Sequence, residues 1–220
     1  MSSLPALYQF FTLYHQAYSD KLGEFPRYYP LGETSPCVLE CDLDRVTQSP
    51  ECSVQWQAVK REYEGQFDNI EHALSMKLHP SIQPFYGRYF SAPVMFDSAF
   101  GEGELLQAWN QQDFEYLQQN LIGHLMMKAK LKQPPTWFIG VLGEGDEMLV
   151  VDNQTGGVWI EVPGERPHRQ LAESLDVFIE GLIPRVSPAQ KPIEESLPET
   201  NHPGIWQRLK IMWRHLRPKK

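Results

Sequence analysis

Cysteine is scarce in this sequence of 220 residues. The cysteines Cys37, Cys41 and Cys52 lie in one short region with no histidine between them. An odd number of cysteines argues against a disulfide framework, and structural zinc usually needs a fuller set of nitrogen or sulfur ligands than this region supplies. We therefore expect reduced, partly buried thiols, no metal site and no cofactor.

Long hydrophobic runs are also missing. No apolar stretch approaches the roughly 18 to 20 residues that span a bilayer, and no N-terminal segment has the residue order of a signal peptide. A hydrophobic content of 41% is nevertheless enough to build a core in a chain of this length. The sequence thus predicts a globular, cytosolic protein.

Familiar catalytic motifs are absent as well. The glycines of GEGDE, residues 143–147, stand among acids that would repel a phosphate group. An enzyme would have to use His124, Cys37 or clustered acids, and His124 is predicted on an apolar helical face with no carboxylate one turn away to orient its ring. This pattern favours a hydrogen-bonded core histidine, and we expect no catalysis.

Other residues of the same helix have structural interpretations. Gly123 costs a helix roughly 1 kcal/mol relative to alanine, which predicts that another element approaches closely there. Lys128, Lys130 and Lys132 lie where cations stabilise a helix C-terminus, and they are predicted to be solvated.

Negative charge is distributed unevenly along the chain. Residues 1–200 contain all 28 acidic residues and 14 of the 20 lysines and arginines, which leaves a net charge of −14. Residues 201–220 contain the other six cations and no acid. Because phosphate groups bind clustered lysines and arginines, the acidic body should bind neither nucleic acid nor an anionic bilayer. Its expected partner is a basic surface.

The spacing of apolar residues predicts an α+β fold with N-terminal helices, a mostly antiparallel central sheet and helices packed on it. Turn residues between the strand-like segments indicate hairpins. The predicted helices cover residues 4–21, 67–77, a segment from about 113 to the prolines at 134 and 135, and 169–183, and the predicted strands cover 92–97, 103–109, 136–142, 147–152 and 157–162.

The chain divides into three predicted parts. Residues 1–183 form the acidic α+β domain, residues 184–204 are rich in proline, glutamate and serine and are typical of a flexible linker, and residues 205–220 form a basic amphipathic helix. This tail suits anionic lipid headgroups, although it could instead fold back onto the acidic body. The lipid-contacting residues would be Trp206, Arg208, Lys210, Trp213, Arg214 and Arg217.

Acidic residues cluster around the predicted hairpin, helix start and strand turn. If these segments share one rim of the sheet, their field attracts basic peptides; the alternative is that each acid is simply solvated. The candidate partner-binding residues are Asp97, Glu102, Glu104, Asp113, Glu115, Glu144, Asp146 and Glu147.

The segment QNLIGHLMMKAKLKQPPTWFIG, residues 119–140, resembles a helix, double proline and strand of the Syd family. The resemblance covers about residues 4–183 and does not extend to the tail. Further similar segments are SPC at 35–37, FYGRYF at 85–90, LLQAW at 105–109 and DFEYLQQN at 113–120.

The resemblance implies a SUKH-like α+β fold and a non-enzymatic protein associated peripherally with the cytoplasmic face of the inner membrane. The implied partner is SecY, the channel subunit of the bacterial translocase, which the protein would regulate or subject to quality control. The wider superfamily includes immunity proteins, so neutralisation of a basic toxin is the alternative function.

Overall fold

The structure is a computed structural model that describes residues 4–143 and 145–191. Within these residues, helices surround one large antiparallel sheet, which confirms the predicted α+β class. The predicted tail helix, residues 205–220, lies outside the described residues. The helices are α1 (Pro5–Leu22), α2 (Leu43–Gln48), α3 (Asp68–Leu74), α4 (Ile82–Tyr86), α5 (Gln111–Lys130) and α6 (Leu175–Glu180).

The strands of the described residues form one main sheet and two small pairs. They are β1 (Arg27–Tyr28), β2 (Val54–Gln55), β3 (Val59–Lys60), β4 (Tyr89–Phe90), β5 (Val94–Ser98), β6 (Gly101–Leu105), β7 (Thr136–Leu142), β8 (Met148–Asp152), β9 (Val158–Glu161), β10 (Arg169–Ala172) and β11 (Ile183–Pro184).

The main sheet has the order β10-β9-β8-β7-β6-β5-β11, and every neighbouring pair is antiparallel. The sheet is strongly curled, since the guanidinium of Arg169 on β10 lies 5.4 Å from the ring of Phe100 in the β5–β6 turn. The small pairs are β1 with β2 and β3 with β4. The hairpin of β5 and β6 and the successive strands β7 to β9 were all predicted.

Helix α1 forms because its apolar residues recur at every third or fourth position. Leu7, Phe10, Phe11 and Tyr14 are all buried, and the helix packs on α6 and β11. Gly23 ends the helix with φ at 70°, a left-handed conformation that glycine adopts without strain.

Helix α5 begins with a reciprocal pair of hydrogen bonds. Asn110 Oδ1 accepts from the backbone N–H of Asp113 at 2.9 Å, and Asp113 Oδ2 accepts from the backbone N–H of Trp109 at 3.1 Å. These bonds satisfy amide groups that have no partner inside the helix. The helix then packs its buried face on β7.

Residues 169–183, predicted as one helix, form β10 and the shorter α6 instead. Backbone pairing with β9 places residues 169–172 at the edge of the sheet. Ser174 then caps α6, because its Oγ accepts from the backbone N–H of Val177 at 3.3 Å. The prediction of a single helix was wrong because pairing with a distant strand outweighed the local apolar spacing.

Residues 184–187 pack on the domain. Pro184 pairs with Phe96 in the sheet, and the backbone N–H of Arg185 donates to Met95 O at 3.1 Å. The hydroxyl of Tyr18 donates to Ser187 O at 2.8 Å and accepts from the Ser187 N–H at 3.1 Å. Within the described residues, the segment from 184 to 187 is therefore part of the fold rather than of a linker.

Two interpretations of α5 were also wrong. Gly123 is exposed, and a Cβ built there would meet nothing within 4 Å, so no other element approaches closely. Lys128 is fully buried rather than solvated, because it pairs with a carboxylate inside the domain.

Candidate functional site

Three of the candidate acids lie on one face of the β5–β6 hairpin. Asp97 is directly opposite Glu102, and Glu104 is opposite Met95. Because side chains alternate across a strand, these carboxylates share a face, whereas Phe96 points to the buried side. Asp97 and Glu102 are exposed and Glu104 is half-buried. The hairpin thus brings three carboxylates together.

The turn between β7 and β8 adds acids beside this hairpin. The backbone N–H of Gly143 donates to Glu102 O at 2.7 Å, which places the turn next to the start of β6. Asp146 and Glu147 in this turn are half-buried, and Glu144 lies outside the described residues. We call Asp97, Glu102, Glu104, Asp146 and Glu147 the sheet-rim surface.

One arginine partly neutralises the sheet-rim surface. Arg185 forms an ion pair with Glu102, and its Nε lies 4.0 Å from Asp97 Oδ1. His168 Nε2 lies 4.0 Å from Glu147 Oε1. Arg185 was not part of the sequence prediction, because its acidic partners are more than eighty residues earlier in the chain. A basic partner would have to compete with this arginine.

The remaining two candidate acids lie elsewhere. β6 runs from the hairpin turn towards α5, so the start of α5 follows the opposite end of that strand. Asp113 is only 2% exposed and caps the helix, which excludes it from an exposed contact surface. Glu115 is exposed and lines a separate groove. The acids therefore do not form one continuous rim.

This groove lies between α3, α5 and residues 61–66, and we call it the α3–α5 groove. Its volume is about 460 Å³, within the range of roughly 300 to 1,000 Å³ that is usual for binding pockets. The lining residues are Arg61, Tyr63, Glu64, Gly65, Gln66, Asp68, Asn69, Gln111, Phe114, Glu115 and Gln118.

One cation is held against the wall of the α3–α5 groove. The guanidinium of Arg61 lies 4.3 Å from the rings of both Phe90 and Phe114, and its Nη2 donates to Gln111 Oε1 at 2.7 Å. Burial lowers the pKa of Arg61 from its usual value. The stacked geometry fixes Arg61 in place as part of the wall. No local pattern in the sequence indicates this groove, which joins segments about fifty residues apart.

His124 belongs to a buried polar network. Its Nε2 lies 3.1 Å from Thr136 Oγ1, and that hydroxyl donates to Glu161 Oε2 at 2.9 Å. Because the hydroxyl hydrogen is directed at Glu161, we infer that the imidazole is protonated at Nε2 and donates a hydrogen bond to Thr136 Oγ1. Lys128 Nζ donates to the same Glu161 oxygen at 2.9 Å and to Glu165 O at 3.1 Å. These bonds compensate for the removal of the network from water, except that the buried Glu161 Oε1 has no hydrogen-bond partner among the described residues.

Burial and charge determine the protonation states in this network. Burial, followed by the charge of Lys128, lowers the pKa of His124 to about 4, so the ring is neutral at physiological pH. Burial raises the pKa of Glu161, while the bond from Lys128 opposes that change. His124 does not line the α3–α5 groove. Its position agrees with the predicted core histidine.

The cysteines occupy different environments. Cys37 is buried, Cys41 and Cys52 are exposed, and all three are free thiols. Burial raises the pKa of Cys37 to about 12, so its thiol is protonated near neutral pH and is a poor nucleophile. Among residues 4–143 and 145–191, no group of three or more His, Cys, Asp or Glu side chains has the arrangement of a metal site.

Comparison with known proteins identifies the family. A family model described as Syd protein (SUKH-2) matches residues 4–184. The chain belongs to the Syd family. Relatives named Protein Syd include those of Shewanella loihica, 79% identical over 220 residues, Shewanella pealeana, 60% identical over 220 residues, and Shewanella frigidimarina, 58% identical over 224 residues. Each alignment covers 100% of this chain and 100% of the relative, so it also spans the basic tail of this Syd-family chain.

One structural property bears on the membrane. In the part of the chain that the structure describes, no helix combines the length and apolarity needed to cross a bilayer.

Proposed function

We propose that this Syd-family protein binds SecY on the cytoplasmic face of the inner membrane and regulates or quality-controls the translocase without catalysis. Family membership and the acidic body support this proposal. Cytoplasmic loops of membrane proteins carry an excess of lysine and arginine, which complements an acidic partner. A peripheral location follows if the integral membrane partner, rather than lipid, attracts the domain.

The sheet-rim surface is the proposed contact. The observation that carries this proposal is the placement of Asp97, Glu102 and Glu104 on one face of the hairpin, with the acidic turn beside them. Their fields add because the carboxylates share one face. Glu115 would contribute from the α3–α5 groove as a second contact, and Asp113 is not included because it is buried.

The basic tail is proposed to strengthen membrane association. Its tryptophans suit the interface, and each cation near an anionic surface contributes about 1 kcal/mol. Substituting Arg208, Lys210, Arg214 and Arg217 with glutamine should reduce co-sedimentation with anionic liposomes. Unchanged co-sedimentation would show that the tail is not a lipid anchor.

Capture of detergent-solubilised SecY tests the contact surface. We expect the combined Asp97→Asn, Glu102→Gln and Glu104→Gln variant to retain much less SecY than the wild type. Raising the salt from about 50 to about 500 mM shortens the Debye length from roughly 14 to roughly 4 Å and should weaken wild-type binding.

A variant with the same change in net charge provides the control. Glu40→Gln, Asp44→Asn and Glu180→Gln neutralise exposed carboxylates on other elements. SecY retention equal in the two triple variants would argue against the sheet-rim surface. Retention that is unaffected by salt would argue against charge recognition altogether.

A further inference from the structure

We propose that residues 205–220 dock in the α3–α5 groove of the same chain, and that anionic lipid competes with the groove for this tail. The inference concerns the chain's own tail and does not depend on SecY being the partner. It rests on two groove carboxylates that form no ion pair with a lysine or arginine of the described residues, on an exposed tyrosine, and on the length of chain that connects the groove to the tail.

Carboxylates in the groove can pair with a basic segment, although Arg61 in its wall offsets one of them. Glu64 in the groove is paired with Arg88 at 3.1 Å, but within the described residues no lysine or arginine forms an ion pair with Asp68 or Glu115. At the sheet rim, Arg185 contacts two of the five acids, so that surface is the competing site for the tail. The tail carries six cations and no acid, so it can supply the missing partners.

The shape and composition of the groove suit an aromatic and basic segment. Tyr63 is 78% exposed at the groove, whereas Phe114 is buried beneath the guanidinium of Arg61. The exposed side-chain amide of Gln66 lines it as well and can accept a hydrogen bond from an indole N–H. Trp206 and Trp213 in the tail present an apolar ring with one such donor. A tryptophan beside arginines and lysines therefore matches both the exposed Tyr63 ring and the carboxylates.

The connection is long enough for the tail to reach the groove. Tyr18 holds Ser187 by two hydrogen bonds, which fixes where the chain leaves the domain. Tyr8 lies ten residues earlier on α1, about 15 Å along the helix axis. Tyr8 stacks on Tyr89 at 6.4 Å, and the neighbouring Phe90 contacts Arg61 in the wall of the groove. Residues 188–204 can span up to about 60 Å, which exceeds this path.

Tethering makes such docking effective even if the free peptide binds weakly. A connected segment is present at an effective concentration that can reach the millimolar range. The same cations would contact lipid headgroups, so a tail held in the groove is withheld from the membrane. Docking in the groove and binding to lipid therefore exclude each other.

Zero-length carbodiimide cross-linking of the full chain at low salt tests the proposal. We expect mass spectrometry to find Lys210, Lys219 or Lys220 joined to Asp68 or Glu115. Mixing isotope-labelled with unlabelled protein distinguishes links within one chain from links between copies. High salt should abolish the links.

Matched variants make the assignment specific. In the variant that combines Asp68→Asn with Glu115→Gln, the tail should not form abundant cross-links to other carboxylates of the domain. In the variant that combines Asp97→Asn with Glu102→Gln, the cross-links to the groove should be unchanged. Urea unfolding would show that each variant is folded. Links to the sheet rim, links only between copies, or no tail links at all would overturn the docking.

Vesicles test the competition. Vesicles containing phosphatidylglycerol should suppress the groove cross-links, and vesicles of phosphatidylcholine alone should not. Cross-links that persist with the anionic vesicles would overturn the proposed competition. No SecY is present in these measurements. A negative result would therefore contradict tail docking without contradicting the proposed SecY contact.

Discussion

Lys128 and Glu161 are fully buried side chains of opposite charge, and each compensates for the burial of the other. Transferring an unpaired charge from water to a protein interior costs several kcal/mol, so such pairs stabilise little in total but are costly to break. Thr136 and His124 extend the pair into a network with little solvent access. The stability of the domain should therefore be sensitive to the loss of any one side chain of this network.

Lys128→Met should lower the free energy of unfolding by about 3 to 5 kcal/mol, because Glu161 would be left buried without its cation. Glu161→Gln should also destabilise the domain. The double variant should cost clearly less than the sum of the two, as urea unfolding can measure. Additive losses would mean that the two side chains do not stabilise each other.

Helix α5 and strand β7 each contain a glycine, and the two glycines differ in what surrounds them. Gly123 in α5 is exposed and a Cβ there meets nothing within 4 Å, while a Cβ at Gly140 in β7 would lie 2.2 Å from Glu104 O. Gly140 adjoins the irregularity in the β7–β8 pairing, where the backbones approach closely. The same substitution should therefore have opposite effects in the two elements.

Gly123→Ala should raise the free energy of unfolding by about 0.5 to 1 kcal/mol, because alanine is the better helix former and no neighbour must move. Gly140→Ala should lower it, since the clash is with backbone rather than with a flexible side chain. Urea unfolding of both variants gives the two signs. A loss of stability in Gly123→Ala would indicate a role for this glycine that the structure does not show.

Sequence reasoning succeeded for elements specified by local patterns. A short stretch of sequence contains each of the signals that predict α1, the turn between β5 and β6, and the end of α5. It failed for β10, which depends on pairing with β9, and it missed α2, a short helix with one buried residue. Local spacing carries no information about which strand lies alongside.

The candidate site followed the same division. The β5–β6 hairpin was predicted from its turn residues, but the predicted loop at 98–102 is longer than the observed turn, so the pairing of Asp97 with Glu102 was not predicted. Asp113 could have been recognised as a cap from the asparagine three residues before it. Neither the pairing of Arg185 with the hairpin acids nor the assembly of the α3–α5 groove could be predicted, because both join distant segments.

The stability of the whole domain depends on groups that burial keeps neutral. Burial lowers the pKa of His15 and of His124 to about 4 from 6.5. An imidazole with a depressed folded-state pKa contributes stability that is complete above about pH 6.5 and is lost as the pH falls towards 4. Glu33 acts with the opposite sign, because burial and then Asp113 raise its pKa from 4.5 to about 7, so its contribution is lost as the pH rises through that window.

Between about pH 7 and pH 5, His124 should remove about 2 kcal/mol from the free energy of unfolding. His124→Gln should lack this part of the pH dependence, which urea unfolding at the two pH values would measure. An unchanged pH dependence in His124→Gln would contradict the neutral, buried imidazole.

The hydroxyl of Tyr18 joins the first helix of the domain to Ser187, and β11 pairs with β5 nearly ninety residues earlier. Contacts between such distant segments carry a large loop-closure cost and slow the search for the native state. During translation, α1 leaves the ribosome long before its partners α6 and β11 have been synthesised. The aromatic face of α1 therefore lacks these packing partners, and is exposed to water where they would cover it, until almost the entire domain has emerged.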